Sequence, residues 1–89
     1  MDGKDFISKV EEELVPISPI IGYAIKKQLA DLGTTAQDLT PVEAMKFVGS
    51  MTDALELFLG KTESQKKRKF MISLLRKYAP EYFEERSLI

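Results

Sequence analysis

Apolar positions recur along this chain at helical spacing, and no stretch alternates at period two for long enough to form a strand. Over residues 4–14, Phe6, Ile7, Val10 and Leu14 fall on one helix face, with Glu11, Glu12 and Glu13 filling the remainder. Pro16 ends or kinks that helix, because it has no amide hydrogen and restricts Val15 before it. Ser18-Pro19 predicts the next start, with Ser as N-cap and Pro at the first helical position, where a missing donor costs nothing. The second helix then carries Ile21, Ala24, Ile25, Leu29 and Leu32 on its apolar face, and Gly33 stands where a left-handed C-terminal residue is expected.

Thr40-Pro41-Val42-Glu43 combines an N-cap Thr, an N1 Pro and an N3 Glu, a complete capping box. It opens a third helix over about residues 41–59, which buries Ala44, Phe47, Val48, Met51, Leu55 and Phe58 before Gly60 ends it. Leu57 and Leu59 widen its apolar arc, and the small Gly49 and Thr52 are expected to admit a close neighbouring helix. Thr62-Glu63-Ser64-Gln65 reads as a second capping box, starting a fourth helix that runs to about residue 79 with Phe70, Met71, Leu74, Leu75 and Tyr78 on its buried face. The expected fold is all-α: a single domain over residues 1–89, a compact bundle of four main helices, with residues 80–89 forming a short fifth helix or a tail.

Composition then removes most chemistry. The chain has no His and no Cys, so imidazole bases, thiolate nucleophiles, disulfides and the usual transition-metal ligands are missing. Glu11, Glu12 and Glu13 diverge around their helix, and Asp53 and Glu56, three apart, would need burial to shift a pKa. The five glycines are isolated, and Gly60-Lys61-Thr62 lacks the upstream glycine of a phosphate loop. The expectation is therefore no enzyme, with no catalytic, cofactor-binding or metal-ligating residue. Met1 to Asp5 is too polar for a secretory leader, and no apolar run approaches the roughly 18 residues of a membrane span. With no Cys present, a cytoplasmic protein without a membrane partner is expected.

Charge changes the picture again. Residues 1–60 carry a net −5, residues 61–77 a net +6 and residues 78–89 a net −2. The run Lys66-Lys67-Arg68-Lys69 cannot share one helix face, but Lys66, Lys69, Arg76 and Lys77 fall within roughly 80° of Lys66 and form a stripe. Lys67 lands within the apolar arc, where its methylenes would cover the core edge while its ammonium reaches water. Two functions follow. Surplus apolar residues at helix margins and in the tail, including Leu59, Ile72, Tyr82 and Phe83 with Leu88 and Ile89, suit a protein partner or a homodimer. Alternatively, the stripe of Lys66, Lys69, Arg76 and Lys77 contacts nucleic-acid phosphates.

The succession IIGYAIKKQLADLG, DLTPVEAMKF and ALELFLGKTESQKK, within residues 20–78, resembles the short helical output domains of archaeal signalling and transcription-associated proteins. The shared layout is a helix ending in Leu-Gly, a capped helix opened by Leu-Thr-Pro, and a closing helix after Gly. The resemblance implies a protein-interaction or regulatory module without catalysis, and it carries over no functional residue.

Overall fold

The computed structural model describes residues 1–87 as α1 (Gly3–Leu14), a 3-10 turn (Val15–Ile17), α2 (Ile20–Asp31), α3 (Pro41–Tyr78) and α4 (Pro80–Ser87). No strand occurs among the described residues, and none of these helices is long and apolar enough to cross a membrane. The proline at position 16 sits in the 3-10 turn that breaks α1 from α2, as its missing amide hydrogen requires.

The predicted third and fourth helices are the two arms of α3, residues 41–59 and 61–78, joined at one non-helical residue, Gly60 (φ 79°, ψ 175°). Run straight, these 38 residues would reach about 57 Å, well past the 36 Å longest dimension of the molecule. The positive φ open to glycine is what lets the second arm fold back on the first. That geometry also displaces the expected Thr62 capping box. Lys61 is already helical, so Thr62 lies in the first turn, and it is Ser64 that turns inward, donating its hydroxyl to the Lys61 carbonyl at 2.9 Å. With its extended ψ, Gly60 itself serves as the entry residue, and no side-chain cap is required.

Other boundaries follow the local signals. Thr40 Oγ1 accepts the Glu43 amide hydrogen at 3.2 Å, and the Thr40 amide donates to Glu43 Oε1 at 3.0 Å, which completes the capping box. Gly33 takes φ 70°, and the amides of Gly33 and Thr34 donate to the carbonyls of Ala30 and Leu29, the paired bonds of a Schellman ending. At the start of α2 the backbone is as expected, with Ser18 extended and Pro19 helical, but the Ser18 side chain makes no capping bond.

α1 runs antiparallel to the second arm of α3: Asp5 meets Tyr78 near one end, and Glu13 meets Lys67 near the other. The molecule therefore has two poles. One gathers the start of α1, the connector over residues 32–40, Pro41 and α4. The other, the kink pole, gathers the end of α1, the 3-10 turn, the start of α2 and the Gly60 bend. Between them lies a core of Phe6, Val10, Leu14, Ile21, Ile25, Phe47, Met51, Leu55, Met71 and Leu75, all essentially fully buried. Phe6 stands edge-on to both Phe47 and Tyr78, with ring centroids 6.5 Å and 6.1 Å away.

Two residues of the first arm depart from their expected places. Phe58 is half exposed, because its turn is the last before Gly60 and the chain bends away from the core beyond it. Gly49 faces open solvent space with no helix against it, while the buried Thr52 satisfies its hydroxyl by donating to the Val48 carbonyl at 2.7 Å. The close approach falls at Gly3. A methyl group there would stand 2.3 Å from the Ala36 carbonyl oxygen and 2.8 Å from Leu39 Cβ, so α1 seats directly on the α2–α3 connector. Gly3→Ala is expected to destabilise the fold by about 1–3 kcal/mol, read as a lowered urea midpoint with an unchanged slope.

Candidate interaction surface

The basic stripe lies where the helical wheel puts it. Lys66, Lys69, Arg76 and Lys77 are all exposed, on the side of the second arm opposite the buried Ser64, Met71 and Leu75. Two of the four are engaged within the molecule. Lys66 Nζ pairs with Glu63 at 3.1 Å, and the Arg76 guanidinium lies 5.1 Å from the centre of the Phe83 ring. Lys69 and Lys77 make no ion pair with any described residue. Because the helix resumes at Lys61, Lys66 and Lys69 sit beyond the first turn, where the positive end of the helix dipole has faded.

Lys67 differs from its expected role. Half buried, its ammonium reaches the Glu13 carboxylate at 2.7 Å and ties the end of α1 to the second arm. Glu11 and Glu12 point to solvent, so the three consecutive glutamates diverge as their spacing requires.

The apolar residues divide differently from expectation. Leu59, Ile72, Tyr82 and Phe83 are all half buried and pack against the core, and Tyr82 and Phe83 also meet each other edge-on at 5.4 Å. The expected contributions of Leu88 and Ile89 lie outside the described residues. The large apolar side chains that face solvent are others: Leu57 (88% exposed), Tyr23 (73%), Ile20, Phe58 and Ile17, with Val42 and Met1 elsewhere. By chain order the first five belong to the kink pole. Of these five, only Leu57 stood among the surplus apolar residues that the sequence offered for an interface, although the wheel carried the signal for Ile20 and Tyr23 as well. Ile20 and Tyr23 fall opposite Ile21, Ile25 and Leu29 on α2, and Leu57 falls opposite Leu55 and Met51 on the first arm.

The opposite pole holds an open cleft of about 430 Å³ lined by Met1, Pro41, Tyr78, Ala79, Pro80, Glu81 and Tyr82. Beside it the Tyr78 hydroxyl donates to Asp5 Oδ2. That bond is the main cause, with desolvation and the charges of Asp5, Asp2 and Glu12 adding to it, of a phenol pushed up to about 12. The folded chain thus keeps a proton that the unfolded chain loses near pH 10, and the associated stability is complete below pH 10 and lost as pH rises through about 12. A phenolate absorbance titration is expected to show a late transition near pH 12 that Tyr78→Phe abolishes. A wild-type titration without that late step would show that the bond does not persist in solution.

The chain matches no protein-family model, no curated protein and no solved structure. What defines its class is the fold itself, an all-α bundle closed by a sharply bent helix, with an apolar kink pole and a basic outer arm.

Proposed function

We propose that this protein is a non-catalytic interaction module that binds a protein partner, a copy of itself included, through the kink pole. One observation supports the reading: Ile17, Ile20, Tyr23, Leu57 and Phe58, on the stretches of chain that lead into this pole, are apolar and exposed to solvent. Covering apolar area is favourable at about 25 cal/mol per Å², and side chains such as Tyr and Phe anchor interfaces most often. The regulatory role implied by the resemblance to helical output domains agrees with such a module. The test is a photoreactive residue placed at position 57, with a second at the exposed Lys46 position as control. Protein adducts specific to position 57 are expected in cell extract; equal labelling from both positions would refute the reading.

A second reading has its own support, the exposure of Lys66, Lys69, Arg76 and Lys77 on one outer face. If these four neutralise phosphates, log K for a DNA duplex falls against log salt with a slope of about −3 to −4. Amide-resolved NMR at low and physiological salt reads this directly. An unmoved spectrum, or binding that survives replacement of all four by Gln, removes it.

A further inference from the structure

Resting on the basic-arm reading, we infer that the ligand of the second arm is duplex DNA, and that the arm bridges one groove with each of its two ends on a different phosphate backbone. Lys66, Lys69, Arg76 and Lys77 lie on one face of a single helical arm, residues 61–78, so their relative positions follow from helix geometry alone. They fall in two pairs. Lys66 and Lys69 stand toward one end, Arg76 and Lys77 toward the other, and residues 70–75 between them carry no charge. At a rise of about 1.5 Å per residue, the inner cations Lys69 and Arg76 are about 10 Å apart along the axis, and the outer two, Lys66 and Lys77, about 16 Å. These distances bracket the width of about 12 Å of the major groove of B-form DNA.

A single strand offers one row of phosphates, which an even row of cations would match. Here the position that would continue the row is Ser73, which is exposed and lies within about 20° of Lys66 around the helix. Over a groove about 8.5 Å deep its hydroxyl is too short to read a base, so the contact is to backbone geometry and not to sequence. Residues 61–77 hold seven basic side chains and one acidic one, Glu63, while residues 1–60 carry a net −5, so the field of the molecule turns this arm toward a polyanion. Lys66 shares Glu63 in an exposed ion pair that a phosphate replaces at little cost, and Lys69 and Lys77 have no ion pair with any described residue. Arg76 stays exposed although its guanidinium lies 5.1 Å from the centre of the Phe83 ring.

Fluorescence anisotropy of a short labelled duplex, and of either of its strands alone, measured with the full chain over a range of salt, tests the inference. The duplex is expected to lose affinity with a log–log slope of about −3 to −4, all four cations being engaged, and the single strand with a slope of about −1 to −2, one pair being engaged at a time. Lys66→Gln with Lys69→Gln, or Arg76→Gln with Lys77→Gln, should each cut the duplex slope to roughly half and weaken duplex binding at low salt by about tenfold or more, while the strand loses only about twofold because the other pair still serves it. Lys69→Gln with Lys77→Gln takes one cation from each end, leaves both the Glu63 pair and the Phe83 contact in place, and should weaken the duplex to a similar degree. All four side chains are exposed, and circular dichroism should report an unchanged helical fold.

Equal slopes for duplex and strand, or a duplex indifferent to the loss of either pair, overturns the bridged groove. If the two forms bind alike and replacement of all four cations by Gln abolishes both, the bridge is refuted and phosphate contact by the arm stands. If neither form binds at low salt, both fall.

Discussion

Phe6→Ala is expected to remove about 3–5 kcal/mol of folding stability, the cost of deleting a fully buried aromatic ring from a core that can only partly collapse. Phe6 sits on α1 and stands edge-on to Phe47 in the first arm of α3 and to Tyr78 in the second. Its ring therefore joins three helical segments, and its loss opens a void that no single side-chain movement closes. A domain of 89 residues holds a total stability of about 4–13 kcal/mol, so the change consumes a large share of it. Urea unfolding followed by circular dichroism reads the effect as a lowered midpoint. Phe6→Leu, which keeps most of the volume, should lose far less, and a loss below about 1 kcal/mol for the Ala variant would mean the site is not the packing centre.

Gly60→Ala should have the next largest effect and carries a built-in comparison. At φ 79° and ψ 175° the bend occupies backbone space that an L side chain enters at a cost of about 1–3 kcal/mol, although a Cβ there meets nothing within 4 Å. Gly49 has equally open surroundings but lies in regular helix, so Gly49→Ala is expected to be stabilising by up to about 1 kcal/mol. Opposite signs from one substitution, made twice in α3, isolate the backbone term. Relief of the strain at position 60 leads to a helical residue there, and a straightened α3 can pack only by exchanging its second arm with another copy. Small-angle scattering of Gly60→Ala at high concentration should therefore show an elongated, arm-exchanged dimer that the wild-type chain does not form. Equal stability changes at the two positions would sink the assignment of strain to the bend.

The helices were legible because each carries its own punctuation. Pro16, Gly33, the Thr40–Glu43 box and Gly60 mark boundaries that depend on nearby residues alone, and the buried faces of α1 and of most of α3 follow from spacing. What the sequence concealed depends on how helices meet. Phe58 has the spacing of a core residue and is half exposed because the chain turns away one residue pair later. Lys67 has the spacing of a core residue too, and is accommodated because Glu13 arrives from 54 positions earlier. The close seat of Gly3 on Ala36 and Leu39 has no local pattern at all. For the candidate surface, the exposure of the basic stripe was legible from one helical wheel. The apolar residues of the kink pole were less so, since they come from the 3-10 turn, α2 and α3, and which of them stay exposed depends on how those elements pack.

The antiparallel seat of α1 on the second arm, with Asp5 meeting Tyr78 across 73 positions, also orders events on the ribosome. Within this bundle Phe6 precedes the other large core side chains along the chain and is among the last to be covered. A nascent chain that has emerged only to Gly60 carries the apolar face of α1 without Met71, Leu75 or Tyr78 to close over it. Cooperative stability of this bundle therefore waits until the second arm has emerged and swung back about the bend, and until then the apolar face of α1 is left uncovered.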